Sequence, residues 1–331
     1  MISSHPLDGL SVLVTCYNKV EYIGKCFSAL LELEKLGAAV IIVDDGSTDG
    51  SSEHLLSLHM KANSQIQIIK TLNQGAGPAR RLSIEKAKTD FIFFLDIDDL
   101  PIIPALQELF WAFKTCNADL AIGNYQVMQT TKKSEMPVNL SQFEVISLSS
   151  FRKEFREAVG WWRYIYKRDF LLQPHNMIGK AFEEFGSKKF VLDDLFWMIH
   201  LSSQELEILV SPASLSVYNY NLPEENADER WTSYLKQVSY LPDAASKFLR
   251  FIQVNNCEHS AAWMRKSTLT DVWDHMPLLP VCSYPGSYFA SFKLTFEIFG
   301  KTPRTYCRAA IYLCLAILKR VSRILNSLQA H

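Results

Sequence analysis

The chain predicts an α/β fold built on a sheet of the nucleotide-binding type, and two observations carry that reading. Short apolar runs, Leu10 to Thr15, Val40 to Val43, Ile66 to Ile69 and Phe91 to Leu95, end at intervals of 28, 26 and 26 residues. That is about the length of one strand, crossover helix and return. Two of the runs end in carboxylates: Asp44 and Asp45 follow the second, and Asp96, Asp98 and Asp99 follow the fourth. In an open parallel sheet the ligand crevice lies beyond the carboxyl ends of the strands, so these acids fall where a ligand would bind. The runs share no sequence, so the repeat is one of topology.

Between the first two runs, Ile23, Phe27, Leu30 and Leu31 fall on one helical face, and Asn18 followed by Glu21 has the form of a capping box at its start. The second run leads into Asp44-Asp45-Gly46-Ser47-Thr48-Asp49-Gly50, whose residue types suit both a tight turn with a helix start and the reception of hydrogen bonds from a base or ribose. After the third run, Asn73-Gln74-Gly75-Ala76-Gly77-Pro78-Ala79-Arg80-Arg81 reads as a loop entering a helix, with Pro78 at the first helical position. That places Arg80 and Arg81 in the first turn, where the helix dipole disfavours cations unless an anion is close; phosphate is the natural one. A helix around Leu106 to Phe113 and a fifth run, Leu120 to Ile122, complete the first 125 residues.

The fourth run is apolar enough to be buried on both faces, and it stops at three carboxylates within four residues. Crowded carboxylates raise one another's pKa, and a hard divalent cation, Mg²⁺ or Mn²⁺, would neutralise them. An Asp-rich turn capping the next helix would use the same residues.

Composition narrows the class. The 331 residues are 48% hydrophobic, enough for a substantial core, and 34 Lys and Arg against 35 Asp and Glu give no sign of a nucleic-acid partner. Seven scattered cysteines with no CxxC pair point to reduced thiols in a cytosol rather than a disulfide framework or a zinc knuckle. The first residues do not read as a signal peptide, and no apolar run has the ~18 residues a membrane-spanning helix needs.

Thr15-Cys16-Tyr17-Asn18, Val43 to Gly50, Asn73-Gln74-Gly75 with Ala79-Arg80, and Phe94-Leu95-Asp96-Ile97-Asp98-Asp99 stand in this order along the chain. Together they closely resemble family 2 glycosyltransferases. The fold this implies is GT-A, a Rossmann-like mixed sheet flanked by helices. The activity it implies is inverting transfer of a sugar from a nucleotide-sugar donor. By the same resemblance, Thr15, Tyr17, Asn18, Asp44, Asp45, Asn73, Gly75, Arg80 and Asp96 bind the donor, with Tyr17, Asp44 and Asp45 near base and ribose. Asp98 and Asp99 hold the metal, and the diphosphate is bound through it. In the segment Phe190-Val191-Leu192-Asp193-Asp194, Asp194 inherits the role of catalytic base; Asp193 stands where the family usually has Glu.

Thr130 to Ser150 is polar and poorly periodic, with Thr131-Lys132-Lys133-Ser134-Glu135 reading as a loop on the way into an acceptor-facing region. Gly160 to Asp169 is dense in aromatics; Trp161 and Trp162, with Asp193, are candidates for acceptor contacts, and core packing would use the same rings. Leu206 to Val210 is strand-like. The rest reads as mostly helical, and from Lys301 onward it carries six cations and no acid around the apolar stretch Ala309 to Leu318. Such a helix lies on an anionic membrane surface or docks on the catalytic domain.

These readings divide the chain into a GT-A domain over residues 1–215, with a nucleotide-sugar-binding part (1–125) and an acceptor-binding part (126–215), and a mostly helical appendage over residues 216–331. The expected acceptor is a saccharide or lipid-linked molecule in surface polysaccharide or glycolipid assembly. The expected location is cytoplasmic, or peripheral on the inner face of the cytoplasmic membrane. The alternative is a nucleotide-sugar-binding scaffold or regulatory subunit without catalysis.

Overall fold

The computed structural model describes residues 5–127, 143–147, 163–173 and 206–219, together with Ala245, Ser246 and Ser291. The chain divides into two compact units, residues 1–188 with 204–221, and residues 189–203 with 222–331; every element below belongs to the first.

In chain order these are β1 (Leu10–Cys16), α1 (Val20–Lys35), β2 (Ala39–Asp44), α2 (Ser51–Ala62), β3 (Gln67–Lys70), α3 (Ala76–Lys86), β4 (Phe91–Asp96), β5 (Leu100–Pro101), α4 (Ile103–Thr115), β6 (Leu120–Val127), β7 (Glu144–Ser147), β8 (Tyr164–Lys167), α5 (Arg168–Leu172) and β9 (Glu207–Tyr218). The strands form one sheet in the order β3-β2-β1-β4-β8-β6-β9-β5, with β7 added to β9. β1, β2, β3 and β4 run parallel, and β8 lies antiparallel between β4 and β6, so the sheet is mixed.

The apolar runs form strands because both sheet faces are covered. Val12 pairs in register with Val40 and Phe93, and Val14 with Ile42 and Leu95, so these side chains share one face. They join Ile23, Phe27 and Leu30 of α1 and Leu106, Phe110 and Phe113 of α4 in a single buried cluster. Leu13, Ile41 and Phe94 alternate to the opposite face, and α3 packs against β1 and β2. The chain steps outward from β1 through β2 to β3, then returns to place β4 on the other side of β1. This reversal opens a crevice at the carboxyl ends of β1 and β4.

Local readings differ from the sequence expectation in three places. The capping box at α1 does not form: the N-cap is Lys19, with no side-chain cap of its own, and Asp49 Oδ2 accepts the Val20 N–H at 3.1 Å instead. Asn18 sits at φ 51 with its side chain committed to the Thr48 N–H, which takes it out of the cap. α3 begins at Ala76 with Gly75 as N-cap, so Pro78 is its third residue and Arg80 and Arg81 fall in the second turn, further from the positive end of the dipole. Within the polar, poorly periodic segment, where the sequence announces no strand, Glu144–Ser147 forms β7, because Val145 and Ile146 suit a strand and β9 offers an edge; the loop expected over Thr131 to Glu135 lies outside the described residues. β8 enters the sheet between β4 and β6, with Tyr164 and Tyr166 fully buried and Tyr166 edge-on to Phe94 at 5.7 Å, so these aromatics pack in the core.

Among the described residues no helix is long and apolar enough to cross a membrane. Cys16, Cys26 and Cys116 are free thiols, the first two buried. Of the appendage expected over residues 216–331 the described residues include only 216–219, of which 216–218 end β9, and Ala245, Ser246 and Ser291; its basic C-terminal segment lies outside them.

Candidate active site

The crevice is built from four loops, each leaving the carboxyl end of a strand. Thr15 and Asp96 are register partners on β1 and β4, and Thr15 Oγ1 donates to Asp96 Oδ1 at 2.5 Å across the switch point. Arg80, on α3 and almost fully buried, donates through Nη2 to the same oxygen at 3.2 Å. The anion that meets this arginine in the folded chain is therefore a carboxylate. Arg81 makes an ion pair one helical turn on, with Glu85 at 2.9 Å.

Past Asp96 the backbone turns sharply, with the Asp99 N–H donating to the Asp96 carbonyl at 2.9 Å and the Ile97 N–H to the Thr15 carbonyl at 3.0 Å. The turn sends the three acids in different directions. Asp98 is 17% exposed and pairs through Oδ2 with Lys19 Nζ at 2.5 Å. Burial works against the charge on Lys19, but the Asp98 carboxylate outweighs it and leaves the ammonium above its ordinary pKa. Asp99 is 1% exposed; its Oδ1 accepts the Asn219 N–H at 2.8 Å, and its Oδ2 has no partner among the described residues. Burial, reinforced by the charge of Asp96 and then that of Asp98, pushes the Asp99 carboxyl up to about 8.

On the β2 side the acids serve the loops. Asp44 Oδ1 accepts the Ser47 N–H at 3.1 Å and the Ser47 hydroxyl at 2.5 Å, and its Oδ2 accepts the Ser52 hydroxyl. Asp45 Oδ1 accepts the Gln74 N–H at 2.9 Å and the Thr71 hydroxyl at 3.2 Å, while Oδ2 accepts the Gly75 N–H at 2.7 Å. Asp45 thereby folds the 71–75 loop against β2 and stands in the wall of a cavity of about 170 Å³, lined also by Thr71, Gln74, Pro78, Ala79 and Leu82. Gly46, at φ +73, allows Asn73 to approach closely; a β-carbon there would lie 2.6 Å from the Asn73 nitrogen.

The β1–α1 loop is laced to the β2–α2 loop. The Asn18 N–H donates to Ser47 Oγ at 2.9 Å, Asn18 Oδ1 accepts the Thr48 N–H at 2.8 Å, and the Lys19 N–H donates to Ser51 Oγ at 3.0 Å. Tyr17, next to Asn18 in the chain, is 45% exposed. Cys16 lies next to it in sequence, but burial, then the charge of Asp44, pushes its thiol up to about 12, which removes it as a nucleophile near neutral pH.

The structure thus brings Thr15, Arg80 and Asp96 together, and Asp45 with Gly75 in a second cluster. Asn18 and Asp44 are engaged in loop architecture. Trp161, Trp162, Asp193 and Asp194 lie outside the described residues. Sequence reasoning missed Lys19: its pairing with Asp98 spans 79 positions, and no periodicity marks it.

Residues 11–196 match the model of Glycosyl transferase family 2. The chain belongs to that family. It is 24% identical over 252 residues to glycosyltransferase GlyA of Streptococcus pneumoniae, which covers 72% of this chain and 34% of GlyA. The chain therefore spans about a third of that relative's length. With the putative glycosyltransferase EpsH of Bacillus subtilis it shares 27% identity over 255 residues, 75% of this chain and 70% of EpsH. In fold it is similar to residues 1–349 of S. aureus TarS, solved in complex with UDP-GlcNAc, at a TM-score of 0.52 and 14% identity over 87% of this chain and 86% of that one. The mixed sheet with flanking helices is thus the GT-A fold.

Proposed function

We propose that this family member is a metal-dependent, inverting glycosyltransferase that moves a sugar from a nucleotide-diphosphate donor to a hydroxyl of a saccharide or lipid-linked acceptor. The observation that carries the reading is the convergence of Thr15, Arg80, Asp96, Asp98 and Lys19 at the sheet's switch point, with Asp45 and its cavity alongside. In this reading Tyr17, Asp45, Asn73 and Gly75 border the nucleoside, and Asn18 and Asp44 hold the loops that do so. The UDP and UDP-GlcNAc of the TarS structures make UDP-sugars the first donors to test.

The acids fit a divalent cation. Among the described residues no group of three or more His, Cys, Asp or Glu is gathered to hold one. Mg²⁺ and Mn²⁺ with a nucleotide need only one or two carboxylates beside phosphate oxygens. Asp98 Oδ1 and Asp99 Oδ2 have no partner among the described residues, and both are hard oxygen donors. Asp98 and Asp99 would hold the ion, and Mg²⁺ or Mn²⁺ bound there neutralises charge on the departing nucleoside diphosphate. Arg80 keeps Asp96 in place at the end of β4. Asp194 takes the proton of the acceptor hydroxyl as its oxygen attacks the anomeric carbon opposite the leaving group, so configuration inverts; Trp161, Trp162 and Asp193 contact the acceptor. A base of this kind contributes about 10² to 10⁴ in rate.

We assign catalysis to residues 1–215 and contact with an anionic membrane surface to the basic segment from Lys301 onward, which makes this a cytoplasmic enzyme, peripheral on the inner face of the cytoplasmic membrane, in surface polysaccharide or glycolipid synthesis. The test is release of nucleoside diphosphate from a panel of nucleotide sugars, with Mg²⁺, Mn²⁺ or EDTA and a membrane lipid extract as acceptor. The expected result is metal-dependent release from one donor, with Asp194→Asn retaining donor binding and losing transfer. An Asp194→Asn variant that transfers at the wild-type rate removes Asp194 as base, and release indifferent to EDTA removes the metal.

A further inference from the structure

Lys19 is the one side chain at the acid turn whose position the sequence did not announce, and its surroundings give it a task. It stands at the N-cap of α1, where its backbone N–H is fixed by Ser51 Oγ at 3.0 Å, so its stem springs from a rigid point. Its ammonium reaches the loop of a different strand, 2.5 Å from Asp98 Oδ2 and 5.5 Å from the centre of the Tyr22 ring. The Lys19 side chain is 40% exposed, and an ion pair that open to solvent holds weakly. Arg80, the other cation here, is buried and committed to Asp96.

Lysine is a compact point charge on a flexible stem, able to exchange one oxygen partner for another nearby. An ammonium 2.5 Å from Asp98 Oδ2 also draws on the charge of that carboxylate and repels a divalent ion bound at its other oxygen, at about 2.0 to 2.2 Å. The two cations compete for one negative charge. When Lys19 gives Asp98 up, the oxygens it can turn to are those that arrive with the ion, on the donor's diphosphate.

Resting on the donor-site reading above, we propose that Lys19 is a diphosphate-binding residue. It guards Asp98 while the site holds no donor, yields that carboxylate to the divalent cation, and then donates its hydrogen bonds to the diphosphate.

The test compares wild type, Lys19→Met and Lys19→Arg by Mn²⁺ binding followed through electron paramagnetic resonance, and by calorimetric titration with UDP, GDP and ADP at saturating Mn²⁺. Lys19→Met removes the competitor, so Mn²⁺ alone binds about tenfold tighter; it also removes a charged donor, so the diphosphate that binds does so about tenfold more weakly. The matching nucleoside, with no phosphate, binds both proteins equally, and Lys19→Arg restores diphosphate affinity. Circular dichroism checks that the variants fold, and Lys19→Gln replaces Lys19→Met if that variant does not. Unchanged or weaker Mn²⁺ binding in the uncharged variant overturns the guarding role, and unchanged diphosphate affinity overturns the binding role. A wild type that binds neither Mn²⁺ nor any of the diphosphates defeats the donor-site reading and Lys19's role with it. A wild type that binds both beside an identical Lys19→Met defeats the role of Lys19 alone.

Discussion

Replacing Asp45 with Asn separates architecture from binding. The carboxylate accepts the N–H groups of Gln74 and Gly75 at 2.9 and 2.7 Å and the Thr71 hydroxyl at 3.2 Å, and the side chain is 4% exposed. An Asn amide keeps one acceptor oxygen and turns its NH₂ towards a backbone donor, so one side of the cradle becomes donor against donor. A hydrogen bond to a charged group is worth about 1.5 to 3 kcal/mol, and a neutral one about 1. One charged bond is lost and two are weakened; Gln74 is exposed and Gly75 half-buried, so water recovers part of the loss. The net is about 2 to 3 kcal/mol off the closed loop. Hydrogen exchange over residues 71–80 reads this directly, because amides exchange in proportion to local opening. The expected change is about 30- to 150-fold faster exchange in Asp45→Asn, at 1.4 kcal/mol per tenfold, with strands β1 and β4 unaffected. Wild-type exchange over 71–80, accompanied by loss of nucleotide binding, would refute the reasoning and leave Asp45 a ligand contact only.

Gly46→Ala meets two obstacles together, the φ of +73 and a β-carbon 2.6 Å from the Asn73 backbone nitrogen and 3.0 Å from the Thr71 carbonyl. It should cost about 2 kcal/mol or more and lower the urea midpoint; a wild-type midpoint would show that the 71–73 backbone gives way freely. Asp99 sets a pH dependence in EDTA. Its carboxyl titrates at about 8 in the fold against 3.8 unfolded, so between these values the folded chain keeps a proton that the unfolded chain has released. Stability from this group therefore falls as pH rises from about 4 towards 8 and levels off above. Urea midpoints at pH 5, 6, 7 and 8 should decline for wild type and decline less for Asp99→Asn, and parallel profiles would remove Asp99 as the source.

Much of this fold was legible because it depends on pattern. Leu10 to Cys16, Ala39 to Asp44 and Phe91 to Asp96 are strands for the reason their sequences suggest, continuous apolar runs buried on both faces. The acids at their ends were legible because a strand's carboxyl end is a fixed place in a parallel sheet. What escaped is what pairwise geometry decides. Nothing local in Tyr164 to Lys167 states that it runs antiparallel between β4 and β6. The partners of Lys19 and Asp49 are 79 and 29 positions away, chosen by how two loops meet. Asp44 shows the limit in another form, since an acid that organises a turn and an acid that receives a ribose have the same neighbours in sequence.

The lacing of the β1–α1 loop to the β2–α2 loop bears on how this chain can change what it accepts. Asn18, Lys19 and Val20 are tied through backbone groups to Ser47, Thr48, Asp49 and Ser51, so the two loops form one rigid plate already in shape before any nucleotide arrives. Preorganisation of this kind lowers the entropy lost when a ligand binds. A substitution within the lacing disturbs both loops at once. If the plate borders the donor's base, as proposed above, a change of base preference falls to side chains that project from it, such as the exposed Tyr17, and leaves the plate as it is.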